Sequence, residues 1–152
     1  MPDRVRTLIA KLIRLRRAEW RDLLRAQAAV LAAHVRVWTL PQGRLVARRA
    51  TGSSPVVTES APAGRAEALA RAIHRVSRYG LTRPRCLVRA IALRRLLAAQ
   101  GLDAVVRVGV RQHDGKFHAH AWVEHGGTVL GDYAAHTGSF TELSELHIAE
   151  KG

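Results

Sequence analysis

The sequence predicts an α+β chain of 152 residues, and three observations carry that reading. Apolar residues recur at three-to-four spacing before Gly101, the pattern of helices with one buried face. After Gly101 the period becomes two, as in half-buried strands. Two glycine turns, Asp114-Gly115 and Gly126-Gly127, then punctuate the alternating segments. Helices followed by an antiparallel meander make an α+β architecture.

Residues 2–17 read as a basic helix with Leu8, Ile9, Leu12, Ile13 and Leu15 as its apolar positions. Residues 18–39 give the clearest helix of the N-terminal half. Trp20, Leu23, Leu24, Gln27, Val30, Leu31 and Val35 fall at helical spacing, and alanine, the best helix former, fills much of the rest. Pro41 and Gly43 stop it. The run Thr51-Gly52-Ser53-Ser54-Pro55 and the later Pro62 mark a loop over 50–64. Residues 65–79 return to helical spacing through Ala66, Leu69, Ala70, Ile73 and Val76, with Gly80 as the stop. Pro84 suits the start of the next helix, which carries Cys86 in its first turn and ends by Gly101. Ala104, Val106, Val108 and Val110 then form one face of a strand. Phe117, Ala119, Ala121 and Val123 form one face of its hairpin partner, with His118, His120, Trp122 and Glu124 on the other. Thr128–Leu130 begins a third short strand, and a short helix is expected within 139–150. There is no internal repeat. The expected organisation is a basic helical region over 1–49, a loop over 50–64, and a chemistry-bearing region over 65–152, all in one compact unit.

An apolar content of 47% excludes wholesale disorder. One cysteine cannot form an internal disulfide, which fits a reducing cytoplasm. No apolar run is long enough to span a bilayer, and the arginine-interrupted N-terminus does not read as a secretory signal. A cytoplasmic location is expected. The net charge is +13, and it is uneven: residues 1–50 hold 12 basic and 3 acidic side chains, a local +9. Most of the basic residues are arginine. They read equally as solvated surface or as a surface for an acidic peptide, a nucleic acid or an anionic membrane.

Three residues could carry chemistry. Cys86 stands where a helix start offers open N–H groups and the positive end of the dipole, which favour a thiolate. The plain alternative is a small buried hydrophobe. His120 lies mid-strand, where an imidazole laid against the helix start could accept the thiol proton and return it to a leaving group. Asp132 follows Gly131 at the end of the next strand and could orient that imidazole. Alone, His120 reads as a hydrogen-bonded histidine and Asp132 as a turn aspartate. His118 and His120 also make a His-x-His pair that could share a metal, with His113, Glu124 and His125 nearby. Two histidines are part of a site only, so no metal is expected.

The segments Cys86–Leu93, Gly101–Val110 and His118–Glu124 together resemble the transglutaminase-like lasso peptide biosynthesis proteins, the family of B2 leader peptidases. The resemblance runs from about residue 20 to about residue 148, with its specific part in 84–132. It implies a transglutaminase-like relative of the papain-like cysteine protease fold, with an N-terminal helical region added. It also implies a Cys–His–Asp triad of Cys86, His120 and Asp132 that cleaves the leader from a ribosomally made lasso-type precursor peptide. His118 is not the base on this reading. The implied partners are the precursor and a separate leader-recognition protein of the B1 type, with the lasso cyclase as a further candidate. Family members have been associated with a nucleotide requirement, but no phosphate-binding Gly-rich loop occurs here, so no cofactor is expected.

The residues and the resemblance agree on a cysteine peptidase. Cys86 N–H is one oxyanion donor candidate. For the second, Gln27 and Gln42 are the available upstream amides, and no motif supports either. An acyltransferase would use the same triad but pass the acyl group to an amine. A nucleic-acid-binding protein would explain the charge, yet no reader motif is present and such a partner is not expected. A non-catalytic protein-binding subunit would explain the N-terminal region but leave the three residues without a task. The basic N-terminal region is the expected docking surface, with Arg4, Arg6, Arg14, Arg16, Arg17, Arg21 and Arg25 supplying charge, and Leu8, Leu12, Trp20 or Leu24 apolar contact.

Overall fold

The computed structural model describes residues 17–39, 47–48, 63–132 and 134–146. The basic helix read over 2–17, apart from Arg17, the stops at Pro41 and Gly43, and nearly all of the 50–64 loop lie outside them.

Helix α1 (Arg17–Thr39) and helix α2 (Ala63–Tyr79) match the two amphipathic readings closely. Helix α3 (Cys86–Ala98) begins at the cysteine itself. Strand β2 (Val105–His113) and strand β3 (Lys116–His125) form the expected hairpin, and β4 (Thr128–Leu130) follows. Asp114 and Gly115 both take positive φ, at 49° and 72°, as a two-residue hairpin turn that follows the strand twist requires.

The chain after β4 departs from expectation. A four-residue helix, α4 (Ala134–Thr137), is followed by strand β5 (Thr141–Leu146), where a helix was read over 139–150. Leu143 and Leu146 stand three apart, which mimics helical spacing. The strand accommodates that spacing because its register against β2 shifts between Val108 and Gly109: Val108 pairs with Ser144 and Gly109 with Glu142, so Leu143 is the extra residue of a bulge. β5 covers the edge that β2 would otherwise expose. A two-residue strand β1 (Ala47–Arg48), too short for any sequence signal, pairs outside β5. The sheet order is β1-β5-β2-β3-β4, antiparallel throughout.

Helix α3 lies on the sheet against β3 and β2, α2 reaches β4, and α1 packs on α3 and α2. α3 is central, which is why its buried positions run almost all the way round: Val88, Ala90, Ile91, Ala92, Leu93, Leu96 and Leu97. α1 turns Ala26, Val30 and Ala33 inward, and α2 turns Ala66, Leu69, Ala70, Ile73 and Val76. Val106, Ala121, Val123 and Leu130 complete the core from the sheet.

One ion pair locks the helical layer. Asp22, buried on α1, receives two hydrogen bonds from the Arg65 guanidinium on α2, at 2.6 and 2.9 Å. Arg65 also reaches Gln100 Oε1, just past α3, at 3.3 Å. The Arg65 hydrogen bond holds the Asp22 carboxyl below its ordinary value, although partial burial works in the opposite direction.

Candidate functional site

Cys86 is the first residue of α3. Arg85 occupies the N-cap position in extended backbone (φ −69°, ψ 164°) and its side chain caps nothing. No acidic side chain stands in the first turn. The opening N–H groups therefore lack a side-chain acceptor, and the dipole makes this end positive. The thiol is free and half-buried, packed against the core beside Leu87.

His120 sits on β3 opposite Gly109 of β2. Its Nε2–H donates to Asp132 Oδ2 in a short hydrogen bond, leaving Nδ1 as the second ring nitrogen. Asp132 follows β4 directly. Gly131 carries a φ of 73°, the left-handed conformation that turns the chain there. A methyl group at Gly131 would meet only ordinary contacts, Leu93 Cδ2 at 3.5 Å and Ala70 Cβ at 3.9 Å, so the glycine answers a backbone demand rather than a lack of space.

Aromatic rings hold the imidazole. His120 is near-parallel to Trp122 with centroids 6.2 Å apart, tilted on Phe140 at 5.4 Å, and edge-on to His136 at 5.1 Å. Gly109 makes room for this group: a Cβ on it would come within 3.0 Å of Phe140 Cβ, Thr141 O and Trp122 Cη2. The Arg111 guanidinium lies 4.8 Å from the Phe140 centroid and donates to Ser139 Oγ at 3.1 Å. Trp122 is held in turn. Its indole N–H donates to Glu124 at 3.0 Å, Glu124 accepts from Arg107 at 3.1 Å, and Arg107 bridges to Glu142 of β5 at 2.6 Å.

Cys86 and Asp132 line one shallow cleft between α2, α3, β3 and β4, together with His74, Arg89 and Trp122. Of the three residues singled out by sequence, His120 and Asp132 are in direct contact, and Cys86 shares the cleft with Asp132. No hydrogen bond joins Cys86 to His120. His118 is exposed and faces Arg111 across the hairpin. Gln27 uses its Oε1 to accept from Leu81 N–H at 3.3 Å, ahead of α3, while its Nε2 is buried without a partner. Gln42 lies outside the described residues. Sequence reasoning missed His136 and Phe140, because they reach His120 through the α4–β5 turn and no spacing rule announces that contact. Among the described residues, the group that could hold a metal is His120, Asp132 and His136, whose ligand atoms all lie within 4.8 Å of one another. The sequence-suggested partner, His118, is not in it.

A family model described as the transglutaminase-like superfamily matches residues 27–145. No curated protein and no solved structure matches the chain. No helix among the described residues is long and apolar enough to cross a membrane.

Proposed function

The chain belongs to the transglutaminase-like superfamily, the family associated with lasso peptide biosynthesis B2 proteins, and from that premise we propose that it is a cysteine peptidase that removes the leader from a lasso-type precursor peptide. The observation that carries the reading is the His120–Asp132 hydrogen bond beside a cleft whose lining includes the helix-start residue Cys86.

The chemistry follows from the atoms. With Asp132 accepting from Nε2–H, the neutral imidazole keeps its lone pair on Nδ1 for the thiol proton. The Cys86 sulfur then bonds to the scissile carbonyl carbon. The oxyanion that forms meets the Cys86 N–H at the helix start. The C–N bond breaks as the imidazolium returns its proton to the leaving amine, and a thioester remains on Cys86. Water, deprotonated by His120, attacks the thioester, releases the carboxylic acid and restores the thiol. The partners on this reading are the precursor, a separate leader-recognition protein and the lasso cyclase. The proposed compartment is the cytoplasm.

Mass analysis of precursor incubated with this chain and its partner tests the proposal. Cys86→Ala abolishes leader release without loss of fold. His120→Ala lowers the rate far more than His118→Ala. Normal product from Cys86→Ala would end the thiol mechanism, and a dead His118 variant beside an active His120 variant would reverse the assignment of the base. An amide adduct formed in the presence of added amine would make the enzyme an acyltransferase.

A further inference from the structure

We propose that His120, Asp132 and His136 form a divalent transition-metal site, and that zinc bound there switches the enzyme off. The regulatory half of this inference rests on the reading of His120 as the base; the site itself does not.

Two imidazoles and one carboxylate are a ligand set that suits zinc, and three protein ligands leave the fourth tetrahedral position open. The three donors already converge within 4.8 Å, so a shared ion needs side-chain adjustment rather than refolding. His136 is held for this by its backbone. Its carbonyl accepts from Ser139 N–H at 3.2 Å and from Ser139 Oγ–H at 2.7 Å. The next carbonyl, of Thr137, accepts from Phe140 N–H at 3.0 Å. Phe140 then touches both imidazoles, with centroids 5.4 Å from each. The ring of His136 is exposed, which gives an ion a route in from solvent.

Inhibition follows whichever ring nitrogen of His120 binds. Through Nε2, the metal displaces the proton shared with Asp132 to Nδ1, and a neutral ring protonated at Nδ1 has no lone pair for the thiol. Through Nδ1, it occupies the lone pair that the thiol needs. Either way His120 ceases to act as a base. His136 takes no proton in the proposed cleavage and meets His120 only by a ring contact, so zinc sensitivity is read in its absence against the variant's own zinc-free rate.

The test uses the full chain with Zn²⁺ as the probe, in calorimetry and in leader-release assays, and with Co²⁺ for its visible spectrum. Wild type binds one zinc, and cobalt gives the absorption of a four-coordinate site. His136→Ala weakens zinc binding by at least roughly tenfold, since even an outer-shell partner is worth about 10–100-fold. His118→Ala and Cys86→Ala bind as wild type does. In the cleavage assay zinc stops wild type and a chelator restores it, while His136→Ala, each rate being read against the same variant's own zinc-free rate, resists zinc by a similar factor. Superimposable zinc curves for wild type and His136→Ala would overturn the site, as would loss of binding in Cys86→Ala or His118→Ala alone. Loss of cleavage on chelation would overturn the inhibitory role, because the metal would then be required. Zinc binding with the expected variant pattern, but with no leader release by wild type, would leave the site standing and count against the peptidase reading.

Discussion

His120 is oriented from every side, and its most fragile support is a residue with no side chain. Gly109 lies across the hairpin from it, and any Cβ there would press on Phe140 and Trp122, two of the rings that hold the imidazole. Overpacking of this kind costs about 1–3 kcal/mol of stability. The functional loss should be larger, because a misplaced catalytic group costs on the order of 100-fold in rate. Gly109→Val is therefore expected to stay folded at moderate temperature while leader release nearly vanishes; thermal melting and single-turnover cleavage measure the two effects separately. The helix start at Cys86, the strand position of His120 and the turn at Gly131 before Asp132 were legible in the sequence because each carries its own local signal. Gly109, His136 and Phe140 were not, because their role arises from strand register and from a turn that brings distant residues onto one ring.

The helices and the β2–β3–β4 meander were legible because each depends on local periodicity and turn chemistry. β5 was not. Its leucine spacing suits a helix, and only pairing with β2, through a bulge, makes it a strand. β1 is a product of pairing alone. Between helices, the Asp22–Arg65 pair likewise joins residues that no periodicity relates, and it makes stability depend on pH. The Asp22 carboxyl is held below its ordinary value of 3.8 in the fold, so its contribution is complete above that value and is lost as pH falls through the lowered one. Asp22→Asn should cost about 1–3 kcal/mol near neutral pH, the penalty for stranding a hydrogen-bonded partner. Denaturant melts of wild type and variant should differ most at about pH 7 and converge as pH falls through the lowered value of the Asp22 carboxyl. A gap that persists undiminished in acid would remove the ion pair as its cause.

At the scale of the whole molecule, helix α1 carries an exposed apolar face. Along α1, Leu24, Leu31, Val35 and Trp38 form an exposed stripe, with Trp38 89% accessible and Leu24 65%. Arg21 and Arg25 are exposed on the same helix. We assign this face to the leader-recognition protein: apolar contact from the stripe, encounter rate and orientation from the arginines. Docking there raises the local concentration of the scissile bond near Cys86. Arg21→Glu with Arg25→Glu should shift the dependence of cleavage on partner concentration to higher values, most strongly at low salt, where screening is least. Reaction of Cys86 with a small thiol reagent should not change, since the cleft is untouched. Superimposable cleavage curves at two ionic strengths would move the docking face elsewhere.

The bulged strand β5 also bears on the order in which the fold can assemble. It emerges from synthesis after every other described element, yet it anchors the segment that brings Phe140 against His120. The helical layer and the β2–β3 hairpin have most of their contacts before it arrives, and folding during synthesis favours segments already available. On the proposed peptidase reading, a nascent chain should cleave nothing until β5 docks. Hydrogen exchange should find the β5 amides opening well below the global unfolding free energy, with β2–β3 amides exchanging only near it. Conditions that loosen β5 alone should then extinguish cleavage while the helical signal in circular dichroism stays whole.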